Sequence, residues 1–139
     1  MTDIEISIEQ LPGHTLVLCK NGELITSDKR GVAPMLDLIQ EGRDVTGYCA
    51  ADRVIGKAAA MLFIKAGVRE VFADTLSEGA AALLKTHGIP FRYSKMTDRI
   101  MNRAKNGLCP MEIAVSDTDD IDTGVMLISR RLDELQAKN

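Results

Sequence analysis

The stretch VTGYCAADRVIGKAAAMLFIKAGVREVFADTLSEGAAALLKTHGIPFRYS, residues 45–94, decides the fold. Residues 45–50 read as a strand. Residues 53–66 are apolar nearly all round, from Val54 and Ile55 through Ala58, Met61, Leu62, Phe63 and Ile64. A helix of that kind is buried between layers. Asp52 stands where an N-cap belongs, and Gly67 where a helix commonly ends. Residues 68–73 form a second strand. Ser77 caps a helix running to His87, and residues 91–94 form a third, short strand. Strand, helix, strand, helix, strand predicts parallel strands joined by right-handed crossovers.

Toward the N-terminus, residues 15–20 (TLVLCK) and 23–27 (ELITS) flank Asn21 and Gly22. Both turn residues tolerate the positive φ of a type I′ turn, so the two runs form a hairpin. Gly31 opens a helix whose stripe is Val32, Met35, Leu36 and Ile39, with Pro34 tolerated in its first turn. Toward the C-terminus, residues 96–107 are polar and basic and read as a loop. A short helix starts near Pro110. A last helix packs along one face through Ile121, Val125, Ile128, Leu132 and Leu135. The expected architecture is a three-layer α/β/α domain over residues 1–139. Its mixed sheet joins an N-terminal β-hairpin to parallel strands.

Composition narrows the function. A chain of 139 residues can bury a sizeable core without staples. Its 45% hydrophobic content and net charge of -3 exclude disorder for most of its length. Seventeen basic against 20 acidic residues argue against binding nucleic acid or a membrane surface through bulk charge. The absence of Trp, with 4% aromatics, removes base stacking as a theme. Cys19, Cys49 and Cys109 form no disulfide framework and fit a reducing cytoplasm. No apolar run approaches the roughly 20 residues that cross a bilayer. Asp3, Glu5 and Glu9 are foreign to a signal peptide. A cytoplasmic protein is expected. Its many apolar residues predict a homo-oligomer, most simply a homodimer.

Read as helical, Arg53, Gly56, Lys57 and Ala60 share one face. Cations at a helix N-terminus cost some tenths of a kcal/mol each unless an anion compensates. Either a phosphate or carboxylate ligand binds there, or Asp52, Asp74 or Glu78 pairs with them internally. Residues 74–78 join the second strand to the next helix at the carboxyl edge, where ligands gather in parallel sheets. The segment 102–112 supplies a second cluster. Pro110 and Glu112 mark a helix start and place Cys109 at its cap, near Arg103 and Lys105. That setting favours the thiolate, so Cys109 is either a nucleophile or a small turn residue. No catalytic His is identifiable, since His14 and His87 read as surface residues. No clustered His and Cys, phosphate loop or dinucleotide motif occurs, so neither metal nor cofactor is expected. The candidate binding set is Asp52, Arg53, Lys57, Ser77, Glu78, Asn102 and Arg103. The candidate catalytic set is Cys109, Lys57 and Glu112.

The element order resembles the cytidine-deaminase-like fold. Three stretches are more specific: residues 51–59 (ADRVIGKAA), residues 67–71 (GVREV) and residues 109–112 (CPME). On these the chain resembles a bacterial and archaeal family of that fold, described as a domain of unknown function. Zinc deaminases open one helix with His and Glu and the next with a pair of Cys. Here the first opens with Asp52 and Arg53, with Lys57 one turn in, and the second with Ser77-Glu78-Gly79-Ala80. The resemblance therefore implies the scaffold and its cleft without zinc or deamination. The expected ligand is a small anionic molecule, such as a nucleotide. The rivals are an enzyme using Cys109 and a protein-interaction subunit with a vestigial cleft.

Overall fold

Asn21 and Gly22 adopt φ of 50° and 81°, the left-handed pair that a type I′ turn requires. They fold β1 (Leu16–Lys20) onto β2 (Glu23–Ser27) as an antiparallel hairpin. The computed structural model describes residues 1–137. In it the hairpin turn is held from below. The Asp3 carboxylate accepts from Asn21 N at 3.0 Å and Gly22 N at 3.3 Å. Asp3 opens α1 (Asp3–Gln10), whose capping box pairs Thr2 with Glu5.

The remaining strands are β3 (Cys49–Ile55), β4 (Glu70–Ser77) and β5 (Phe91–Thr97). The sheet order is β2-β1-β3-β4-β5, with β3, β4 and β5 parallel and β1 antiparallel to β3. The crossovers are α3 (Lys57–Ala66) and α4 (Glu78–Thr86). Alternation along the strands splits the core in two. Val17, Cys49, Ala51 and Phe72 pack against Ile4 and Leu11 of the α1 segment. Leu18, Ala50, Val71 and Ala73 pack on the other side, against α2 (Ala33–Gln40), α3 and α4. Two more helices complete that layer, α5 (Pro110–Ala114) and α6 (Ile121–Ala137). The predicted stripe of α6 lies on the core through Ile121, Val125, Ile128, Leu132 and Leu135. The three-layer mixed α/β/α arrangement is thus the one expected.

Several boundaries differ from expectation, and they matter for the site. Residues 45–48 are not strand, and β3 runs on to Ile55 instead of ending at residue 50. Asp52 is therefore no N-cap. It lies within the sheet, opposite Leu16 on β1 and Ala73 on β4. Arg53 is in the same strand and shares no helical face with Lys57. The β-branched pair Val54-Ile55 keeps the chain extended, and α3 starts only after Gly56. The strands β4 and β5 also continue further than expected, to Ser77 and Thr97. Residues 74–77, expected as a loop, belong to β4. Ser77 does cap α4 as expected, accepting from Ala80 N at 3.1 Å.

Candidate functional site

The N-terminus of α3 already holds an anion supplied by the chain. Lys57 N donates to Glu112 Oε1 and Ala58 N to Glu112 Oε2, each at 2.8 Å. Gly56, the N-cap, makes this possible, because any Cβ there would collide with the Glu112 carboxylate and Ile100. Glu112 reaches across from α5, where Pro110 sets the first helical turn. The Lys57 ammonium, largely buried, pairs with Asp119 at 2.8 Å. None of the acids considered from the sequence is its partner.

Arg53 is fully engaged with the protein. Its guanidinium donates to Leu11 O at 3.1 Å, to Asp74 Oδ2 at 3.1 Å and, through Nε, to His14 O at 3.0 Å. These bonds fasten the chain between α1 and β1 to the sheet. Asp52 points elsewhere. Its Oδ1 accepts from Arg53 N at 2.7 Å, and it makes no side-chain hydrogen bond among the described residues. Burial pushes its carboxyl up to about 7, and the Asp74 charge adds to this. The neighbouring amides of Arg53 and Val54 and the Arg53 charge oppose the rise.

Three adjoining hollows follow the carboxyl edge of the parallel strands. The central one, about 280 Å³, has apolar walls that include Val32, Val54, Ala59, Ile100 and Met111. Arg30, Arg103, Cys109 and Glu112 also line it. A second, about 250 Å³, contains Asp52, Arg53 and Thr15, and shares Arg30, Gly31 and Val54 with the first. A third, about 290 Å³, contains Lys57 and Ser77, and shares Ile100 and Glu112 with the first. Arg30 and Arg103 are exposed and form no ion pair among the described residues.

The residues expected at the site thus divide. Arg103, Cys109 and Glu112 meet in the central hollow, Asp52 and Arg53 in the second, and Lys57 and Ser77 in the third. Glu78 and Asn102 line none of the three. Asn102 instead closes its own loop, with Nδ2 donating to Asn106 Oδ1 at 2.9 Å and Oδ1 accepting from Asn106 N at 3.2 Å. Arg30 was not foreseen, because only the folding of the hairpin brings residue 30 over β3. Cys109 is the partly exposed thiol. Cys19 and Cys49 face one another across β1 and β3, both buried, and burial pushes both thiols up. Among the described residues no three His, Cys, Asp or Glu side chains could hold a metal ion together. No helix there is long and apolar enough to cross a membrane.

No curated protein matches this sequence. A DUF1893 family protein from Thermotoga maritima superposes with a TM-score of 0.82 at 21% identity, covering 91% of this chain and 86% of its own. Two deaminases superpose more loosely. The dCMP deaminase of cyanophage S-TIM5 gives a TM-score of 0.46 at 10% identity, covering 66% of this chain and 93% of its own. A diaminohydroxyphosphoribosylaminopyrimidine deaminase/5-amino-6-(5-phosphoribosylamino)uracil reductase from Thermotoga maritima gives 0.45 at 15% identity. That match covers 81% of this chain and 40% of the larger protein. The fold shared with the first of these proteins agrees with the sequence itself, which matches the family model over residues 9–132. The chain belongs to the domain-of-unknown-function family DUF1893.

Proposed function

We propose that the chain binds a small organic anion, of nucleotide size or less, in the central hollow. The observation that carries this reading is the pair of exposed arginines, without an ion pair among the described residues, on an apolar-walled hollow of about 280 Å³. Guanidinium groups suit phosphate and carboxylate because their donors form a planar fork. The apolar walls would cover the body of the ligand. The helix terminus is not the anion site in this reading, since the Glu112 carboxylate fills it. Lys57 and Ser77 extend the groove on its far side. An enzyme reading rests on Cys109, which lines the same hollow. Within it, Glu112 would position α3, because both its oxygens accept backbone amides. A homodimer would cover Ile113 and Met126 on α5 and α6, which are 56% and 51% exposed. A strictly monomeric mass by light scattering would remove that part.

The test is thermal unfolding with nucleoside 5′-monophosphates. A ligand at 100 times its Kd should add about 2.7 kcal/mol of stability. Arg103→Ala should weaken binding about tenfold or more, as expected for a charge-assisted hydrogen bond to an anion. If Arg103→Ala and Arg30→Ala both bind as the wild type does, the anion does not lie between them and the reading fails.

A further inference from the structure

We infer that the hollow over Asp52 is a second arm of the same ligand site and receives the N–H donor edge of a ring. This rests on the anion reading of the central hollow and names the other end of its ligand. Asp52 is a half-buried carboxyl group in the middle of β3, and it forms no ion pair among the described residues. Its neighbour Arg53 turns away to Leu11 O, His14 O and Asp74. Among the described residues the Asp52 carboxylate is met by backbone amides alone, Arg53 N at 2.7 Å and its neighbour Val54 N. A carboxylate withdrawn from water needs donors, and among the described residues the chain supplies backbone amides alone.

The hollow that Asp52 shares with Thr15 holds about 250 Å³ and opens into the arginine-lined one along Arg30, Gly31 and Val54. A ligand whose anionic group lies between Arg30 and Arg103 would therefore extend its other end toward Asp52. A metal ion is a poor occupant, because no three ligating side chains converge in the described residues. A neutral ring presenting adjacent N–H groups fits better. Two parallel N–H donors match the two oxygens of one carboxylate in a bidentate pair. A guanine edge, with its ring N–H and amino group, is one such donor pair.

Guanosine and inosine 5′-monophosphate differ only in that amino group and serve as the probes. Calorimetric titration of the wild type at pH 8, where Asp52 is ionised, should show guanosine monophosphate binding about tenfold more tightly than inosine monophosphate. Asp52→Asn should bring the ratio close to one, because the amide offers one acceptor and one donor. Arg103→Ala should weaken both nucleotides alike and keep the ratio. Equal binding of the two by the wild type, or a preference that survives Asp52→Asn, overturns the inference and leaves the anion reading standing. If neither nucleotide binds, the anion reading fails with it.

Discussion

Replacing Glu112 with alanine should destabilise the fold by about 3 kcal/mol, because two charge-assisted hydrogen bonds are lost at once. Lys57 N and Ala58 N, each 2.8 Å from a carboxylate oxygen, would lose their acceptor. Both amides lie at the positive end of α3, so the lost negative charge adds to the loss. The space left behind is bordered by Gly56, whose missing side chain cannot fill it. Glu112→Gln keeps one acceptor oxygen but no charge and should lose roughly half as much. In a chain of this size the alanine variant should melt on the order of 10 °C lower. Urea unfolding of both variants measures this. A loss below about 0.5 kcal/mol for Glu112→Ala, the range of an ordinary surface change, would show that Glu112 is not the cap of α3.

Asp52→Asn should do the opposite at alkaline pH and stabilise the protein. Burial raises the Asp52 carboxyl from 3.8 to about 7. Between those values the folded chain holds a proton that the unfolded chain has released. Stability from this group therefore falls as pH rises, beginning near the unfolded value and levelling off above the folded one. The interval corresponds to about 4 kcal/mol, and solvent relaxation around the ionised group should bring the observed figure nearer 2–3 kcal/mol. The asparagine variant lacks this slope, so the two stability curves should meet near pH 4 and part by pH 8. Denaturant unfolding across that range is the measurement. Parallel curves would mean that Asp52 is ionised and well solvated in the folded state.

What the sequence reveals of this fold is what local chemistry dictates. Asn21-Gly22 specifies its turn by φ alone. The apolar α3 must be buried whatever surrounds it, and Ser77 caps the residues next to it. The misread boundaries have a common cause. The start of α3 is set by Glu112, a residue 55 positions away that caps it through space. Without that partner in view, Asp52 is the better local cap, and Val54-Ile55 are absorbed into the helix. Helical spacing would likewise join Arg53 to Lys57, whereas strand geometry sends Arg53 to carbonyl groups near α1. The helix α1 has its local signal in the Thr2–Glu5 capping box and the spacing of Ile4, Ile8 and Leu11. Arg30 carried no local signal, since its place depends on how the hairpin packs over β3.

The groove is tested most directly through Cys109, the partly exposed thiol on the wall of the central hollow. Timed alkylation at neutral pH, with peptide mapping, should label Cys109 well before the buried Cys19 and Cys49. A saturating nucleoside monophosphate should then slow Cys109 labelling severalfold and leave the other two unchanged. If Cys109 is labelled at the same rate while the nucleotide raises the melting temperature, the ligand binds elsewhere and the central hollow is not its site.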